Sequence, residues 1–352
     1  MGIKDTKLER GYFEFSRREF LKAASALAAY CAAPFSKSVM EKKGLQPRAG
    51  KGNLFVEDGK PLLVVVSGND AKQMLAKGLE VIGGTGKIVQ SGDSVFLKPN
   101  YGSHRAFPTG SDPYCLVAIG EHVKASGAGK VTICDSSDAY VLNKYNDYAF
   151  VFKANDVFRI AERAKIDVIC THPTDEDEYV VVHSDRWEKN PEIKVNKYLL
   201  GAAVIINQPM LKKHDEAGMT CALKNFFGAV YQPQRMAAHK QLKEGGEQGK
   251  DFFAKTVAEF ADSMRPELTI VDARRILTVK GPSFKGGSVV KAVDKLIISG
   301  DMVATDSYCA DILEKEDNTF KKEMIVPTLQ YAEKLGLGTA DLSKVKIIET
   351  SV

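Results

Sequence analysis

Paired cysteines, long apolar runs and a charge of one sign are what this sequence lacks. Its six cysteines, Cys31, Cys115, Cys134, Cys170, Cys221 and Cys309, form no C-x-x-C pair. That leaves no ferredoxin-type cluster motif and no zinc ribbon. Cys115, Cys134, Cys170 and Cys309 lie in apolar contexts and read as core residues, and Cys221 reads as packing beside Leu223. No run reaches the roughly 20 apolar residues that a bilayer crossing needs, so no transmembrane helix is expected. There is no G-x-S-x-G, no H-E-x-x-H and no dinucleotide fingerprint. Gly84-Thr85-Gly86-Lys87 lacks the spacing of a phosphate loop and follows a helical pattern rather than a strand. The charge is nearly balanced, with 49 Lys and Arg against 45 Asp and Glu. Of the net +4, +3 belongs to the first 38 residues, where seven Lys or Arg face four Asp or Glu. The nearly neutral remainder argues against nucleic acid as a partner.

What is present begins with an address. Ser16-Arg17-Arg18-Glu19-Phe20-Leu21-Lys22 matches the twin-arginine export pattern, and an alanine-rich run from Ala23 to Ala33 follows it. Residues 1–38 therefore read as a twin-arginine signal and residues 39–61, rich in Lys, Gly and Pro, as a linker. Residues 62–352 read as an α/β domain. The expected partner during export is the twin-arginine translocase. The expected location is periplasmic or extracytoplasmic, reached after folding in the cytoplasm.

Leu62–Val66, an unbroken apolar run, reads as a strand buried on both faces, and Val95–Leu97, Lys130–Cys134 and Ala202–Ile206 read as further strands. Amphipathic stretches lie between them. Asn69 or Asp70 can cap a helix carrying Leu75, Leu79 and Ile82, and Asp112-Pro113 opens another. The alternation predicts a mostly parallel sheet flanked by helices, joined by right-handed crossovers. A charged segment, 173–201, with a short strand at Tyr179–Val182, reads as a small antiparallel insertion. Residues 231–250, rich in Gln, Lys and Gly, read as a mobile segment in which His239 alone has chemical interest. A last helix at 323–335 is expected to kink at Pro327.

Chemistry gathers where strands end, which is where an open α/β sheet binds its ligands. Lys98 with Asn100, Asp135 with Ser136, Lys212-Lys213-His214, and Asp272 all follow apolar runs. Pro209 stops the strand before them, because proline donates no ladder bond. Lys224-Asn225 is wedged between Ala222-Leu223 and Phe226-Phe227, flanks that hold polar groups in place. Lys98, Lys212 and Lys224 are candidates to bind an anion, and Lys212, Lys224 and His214 to act in catalysis. Asn100, Ser136 and Asn225 are candidate ligand contacts. Asp135, Asp272 and His214 are a candidate set for a divalent metal.

These motifs, in this order, resemble the family catalogued as domain of unknown function 362. The resemblance rests on Phe96-Leu97-Lys98-Pro99-Asn100, Val131 to Ser136, Pro209 to His214 and Leu223 to Ala229. Leu268 to Asp272, Gly281-Pro282 and Asp301 to Asp306 continue it. The family's P-K-L-K-T-H pattern has Met210 at its first lysine and Lys213 at its threonine here, which leaves Lys212 as its remaining lysine. Some relatives carry iron–sulfur cysteine motifs, and this chain has none. The expectation is an exported protein with a ligand- or metal-binding rim, an enzyme acting on a small anionic metabolite. The alternative is a non-enzymatic module of an extracytoplasmic redox or iron–sulfur/cofactor-assembly system.

Overall fold

A computed structural model of the chain describes residues 45–352. The twin-arginine segment, Cys31 and residues 39–44 lie outside the described residues. In chain order the strands are β1 (Val56–Glu57), β2 (Lys60–Ser67), β3 (Ser94–Lys98), β4 (Lys130–Ser136), β5 (Asp167–Thr171), β6 (Tyr179–His183), β7 (Glu192–Asn196), β8 (Val204–Asn207), β9 (Met210–His214), β10 (Gly218–Thr220), β11 (Leu268–Thr278), β12 (Val289–Ser299) and β13 (Lys346–Ser351).

The protein is a mixed α/β fold. An 11-stranded sheet runs β1-β2-β12-β11-β8-β3-β4-β5, with β13 on β2, and β9 joining β11 and β10. β11, β8, β3, β4 and β5 are parallel, as are β13 and β2. β12 lies antiparallel between β2 and β11, so β2 points the same way as the parallel set. β6 and β7 form the separate antiparallel pair that was expected as an insertion.

Alternate residues of each central strand face opposite sides, and both sides are covered. Val64, Val66, Val95, Leu97, Val204 and Ile206 pack against helices Ala71–Ile82 and Pro113–Ala125. Leu63, Val65, Phe96, Ile205, Val271 and Ile297 pack against helices Gly246–Asp262 and Met302–Glu316. Helices on both faces are why the strands read as continuous apolar runs. Asp70 and Asp112 do cap their helices, accepting from Gln73 N at 2.8 Å and Tyr114 N at 3.0 Å.

Four expectations need correction. The stretch read as a linker is held against the domain at Arg48 and Phe55, while most of residues 49–60 are exposed. The Arg48 guanidinium reaches the buried Glu267 carboxylate at 2.8 Å and the Ala203 carbonyl at 2.9 Å, and Phe55 is fully buried. Residues 231–250 are helical, forming Gln232–Glu244 and the start of Gly246–Asp262. Their polar composition hid a helix that meets the core through only Ala238, Leu242 and His239, the last against the Phe227 and Phe253 rings. Pro327 sits in the first turn of helix Val326–Lys334, where a missing N–H costs nothing, so it starts the helix and does not kink it. Pro209 ends β8, yet the chain resumes at once as β9, so Lys212, Lys213 and His214 lie within a buried strand and not beyond a strand end. The five described cysteines are free, all buried except the half-buried Cys170. No helix of the described residues is long and apolar enough to cross a membrane.

Candidate functional site

The parallel strands bring β3 and β4 side by side, so their carboxyl ends meet. Lys98, wholly buried, reaches the Asp135 carboxylate at 2.7 Å and the Pro99 carbonyl at 2.7 Å. Asp135 also accepts from the backbone N–H groups of Tyr101 and Ser136, each at 2.9 Å. Burial pushes the Lys98 ammonium below its ordinary value, and Asp135 opposes the push. A buried pair of this kind depends on further hydrogen bonds, supplied here by the Pro99 carbonyl and the two backbone N–H groups. Gly228 packs onto the pair. A Cβ there would lie 2.8 Å from Lys98 Nζ and would overlap an Asp135 oxygen.

From this pair an amide chain runs through the protein. Lys212 donates to Asn100 Oδ1 at 3.0 Å and to the Thr109 carbonyl at 2.6 Å. Asn100 Nδ2 donates to Asn225 Oδ1 at 2.9 Å. Asn225 Nδ2 donates to Asn207 Oδ1 at 2.7 Å and to the Lys98 carbonyl at 3.2 Å. Asn207 Nδ2 donates to the Ala222 carbonyl at 3.0 Å. Each amide has its orientation set by its neighbours. The chain fixes the segment that carries Lys224. A second anchor comes from helix Met302–Glu316, where Asp306 accepts from Ala222 N at 2.6 Å and Leu223 N at 3.0 Å. Burial raises the Asp306 carboxyl to about 6.

These residues line a cavity of about 150 Å³. Lys98, Lys212, Lys224 and Arg235 supply its cations, and Asp135 and Asp138 its carboxylates. Burial lowers Lys212 to about 7. Burial, and then the charge of Lys212, lower Lys224 to about 7 as well. Lys224 Nζ lies 3.5 Å from the centre of the Phe227 ring and 5.5 Å from that of Phe253. It forms no hydrogen bond or ion pair among the described residues. Two amines that change charge near neutrality can hold an anion and can move a proton.

His214 lies on the same side of β9 as Lys212 and lines the cavity, while Lys213 points away and donates to the Thr319 carbonyl at 2.9 Å. The backbone N–H groups of Glu216 and Ala217 donate to His214 Nδ1, each at 3.2 Å. The neutral ring therefore carries its proton on Nε2. Burial, then Lys224, hold its pKa well below the ordinary value. His239 stacks on it at 5.6 Å and pairs with Glu216 at 2.9 Å. Burial still lowers His239 to about 4.

Sequence reasoning named Lys98, Asn100, Asp135, Ser136, Lys212, His214, Lys224 and Asn225, and all eight line the cavity. It missed Arg235, which donates to the Val230 carbonyl at 2.5 Å and to Ser136 Oγ. A buried arginine on a polar helix gave no apolar pattern to notice. Asp272 is not part of the cavity. Its carboxylate is held by Arg274, with Oδ2 2.7 Å from Nη2, and Arg274 also pairs with Asp112 at 2.5 Å. The expected metal set of Asp135, Asp272 and His214 therefore does not assemble. Among the described residues no three His, Cys, Asp or Glu side chains are grouped to hold a metal ion.

Strand order and helices on both faces of the sheet define a mixed α/β protein, and a cationic cavity lies at its strand ends. The chain belongs to the family described as domain of unknown function (DUF362), which matches residues 95–311. It is similar to a thylakoid-associated protein of Synechocystis sp., 29% identical over 264 residues, which cover 74% of this chain and 73% of that one. Among solved structures it is similar to the lactate racemase apoprotein of Thermoanaerobacterium thermosaccharolyticum, at 10% identity and a TM-score of 0.47 over 76% of this chain. It is also similar to a Thermotoga maritima protein, at 11% identity and a TM-score of 0.42 over 76% of this chain. The matches span 61% and 60% of those two chains.

Proposed function

We propose that the protein is an enzyme acting on a small anionic metabolite held in the cavity at the strand ends. The observation that carries this reading is the cation surplus in a buried space. Lys98 is neutralised by Asp135, but Lys212 and Lys224 have no carboxylate of their own among the described residues. Folding gains nothing from burying such amines. A bound anion would restore their charge and fill the cavity. In this reading Arg235, Lys212 and Lys224 hold the anion, and Asn100, Asn225 and Ser136 fix the geometry. Lys212 and Lys224 exchange protons with the bound molecule, while His214 stays neutral and donates a hydrogen bond from Nε2. Melting the protein with a panel of small carboxylates and phosphates tests the reading. A rise in melting temperature that Lys224→Met abolishes supports it. A flat panel refutes it, and binding without turnover would leave the chain a ligand-binding module.

Export is part of the proposal. Arg17 and Arg18 stand in the twin-arginine pattern, and such an address is read on folded cargo. The cavity, whose buried ion pairs exist only in the folded chain, would then be assembled in the cytoplasm and used outside it.

A further inference from the structure

We propose that Lys224 forms a covalent imine with the carbonyl carbon of a small 2-oxo carboxylate bound in the cavity. The proposal rests on the anionic-ligand reading above and adds the chemistry of the bound molecule. Four lysines stand at this end of the sheet, and three are occupied. Lys98 is held by Asp135 and Pro99, Lys212 by Asn100 and Thr109, and Lys213 by Thr319. Lys224 alone of the four has only the faces of aromatic rings beside its amine. A nucleophilic lysine needs that setting: buried against apolar groups, next to a second cation, with its lone pair engaged by no donor. Lys224 also sits at about 7, so a large share of it is unprotonated amine at neutral pH.

A carbonyl compound without a carboxylate would leave the remaining cations unanswered. Arg235 is buried, spends Nε on Val230 and Nη2 on Ser136, and has no bond at Nη1 among the described residues. A carboxylate at Nη1 would set the adjoining carbonyl in the same small space as Lys224. The step balances without an oxidant. The Lys224 nitrogen lone pair forms a bond to the carbonyl carbon, and a proton moves from that nitrogen to the oxygen to give the carbinolamine. The hydroxyl then leaves as water with a proton from the Lys212 ammonium, and the nitrogen lone pair closes the protonated C=N bond. His214 Nε2–H is the neutral donor that polarises the carbonyl oxygen. Rigid attachment supports the assignment, because Asp306 and the amide chain fix the Lys224 segment from two sides.

The test uses the full chain with pyruvate or 2-oxobutyrate and cyanoborohydride, followed by peptide mass mapping and, in parallel, thermal melts. The expected result is a permanent adduct on the Lys224 peptide, suppressed severalfold by excess propionate, which carries the carboxylate and no carbonyl. Lys224→Arg keeps the charge and should take no adduct there. The propionate competition uses wild-type protein alone, so it stands even where the variant folds poorly. Adducts spread over surface lysines and indifferent to propionate overturn the proposal. Melts raised by the oxo acids with no adduct on Lys224 overturn the imine and leave the anion site standing. Neither stabilisation nor adduct overturns both.

Discussion

Replacing Lys212 by Met keeps an apolar stem of similar length and removes the amine. In the folded protein that amine sits at about 7, against an ordinary value of 10.5. From about pH 7 to about pH 10 the unfolded chain therefore binds one proton that the folded chain does not. Wild-type stability then rises with pH, by up to ~1.4 kcal/mol per unit. Below about pH 7 both states are charged, the slope vanishes, and the whole cost of charging a buried amine is present, about 5 kcal/mol at its upper bound. Methionine carries no such cost. Against that gain stands the loss of the bonds to Asn100 Oδ1 and the Thr109 carbonyl, at about 1–3 kcal/mol for each acceptor left unpaired. The absolute difference between the proteins is thus near balance, and its pH dependence is the signal. Any advantage of Lys212→Met should shrink by roughly 2 kcal/mol between about pH 7 and about pH 9. Loss of Lys212 also relieves Lys224 of a repelling charge, which moves the difference the same way. Urea unfolding of both proteins across this range measures it. Parallel stability curves would refute the claim that Lys212 is a buried amine with a lowered pKa.

Gly228→Ala should drive a methyl group into the Lys98–Asp135 pair and cost about 3–5 kcal/mol, the usual price of breaking a buried ion pair, read as a lower urea midpoint. Asn225→Ala leaves Asn100 Nδ2 and Asn207 Oδ1 facing an empty space. A loss of about 2–4 kcal/mol is expected, and an unchanged midpoint would remove the amide chain as a structural element. Asp272→Asn should lower stability through Arg274 while leaving anion-induced melting shifts intact. Shifts that vanish in a folded Asp272→Asn protein would return Asp272 to the site. Lysine at both Arg17 and Arg18 should leave folded precursor in the cytoplasm, as fractionation would detect, and normal export would defeat the signal assignment.

Most of the cavity could be read from the chain because strand ends in a parallel sheet share one edge. Lys98, Asp135 and Lys212 each follow a run too apolar to be anything but a buried strand. Lys224 and Asn225 were legible from the apolar residues pressing on them. Arg235 was not, because Gln232–Glu244 turns little more than Ala238 and Leu242 to the core and polar helices resemble loops. Asp272 was misplaced for a reason the sequence did contain. Residues two apart on a strand share a face, so Arg274 was its nearest natural partner, and β11 runs on to Thr278 rather than ending at Asp272. The error was one of strand length, which composition marks poorly where a strand turns polar.

The spread of the site along the chain has a kinetic consequence. Lys98 meets Asp135 after a single crossover, but Lys212 meets Asn100 and Thr109, and Arg235 meets Ser136, only across about a hundred residues of chain. Contacts of such separation form late, after the loop entropy has been spent. A nascent or half-folded chain therefore displays strands and helices but no cavity, and its lysines remain ordinary solvated cations. The unusual protonation of these amines appears only at the last stage of assembly. Ligand binding would thus report completion of the fold, and a ligand present during synthesis would act on the final step alone.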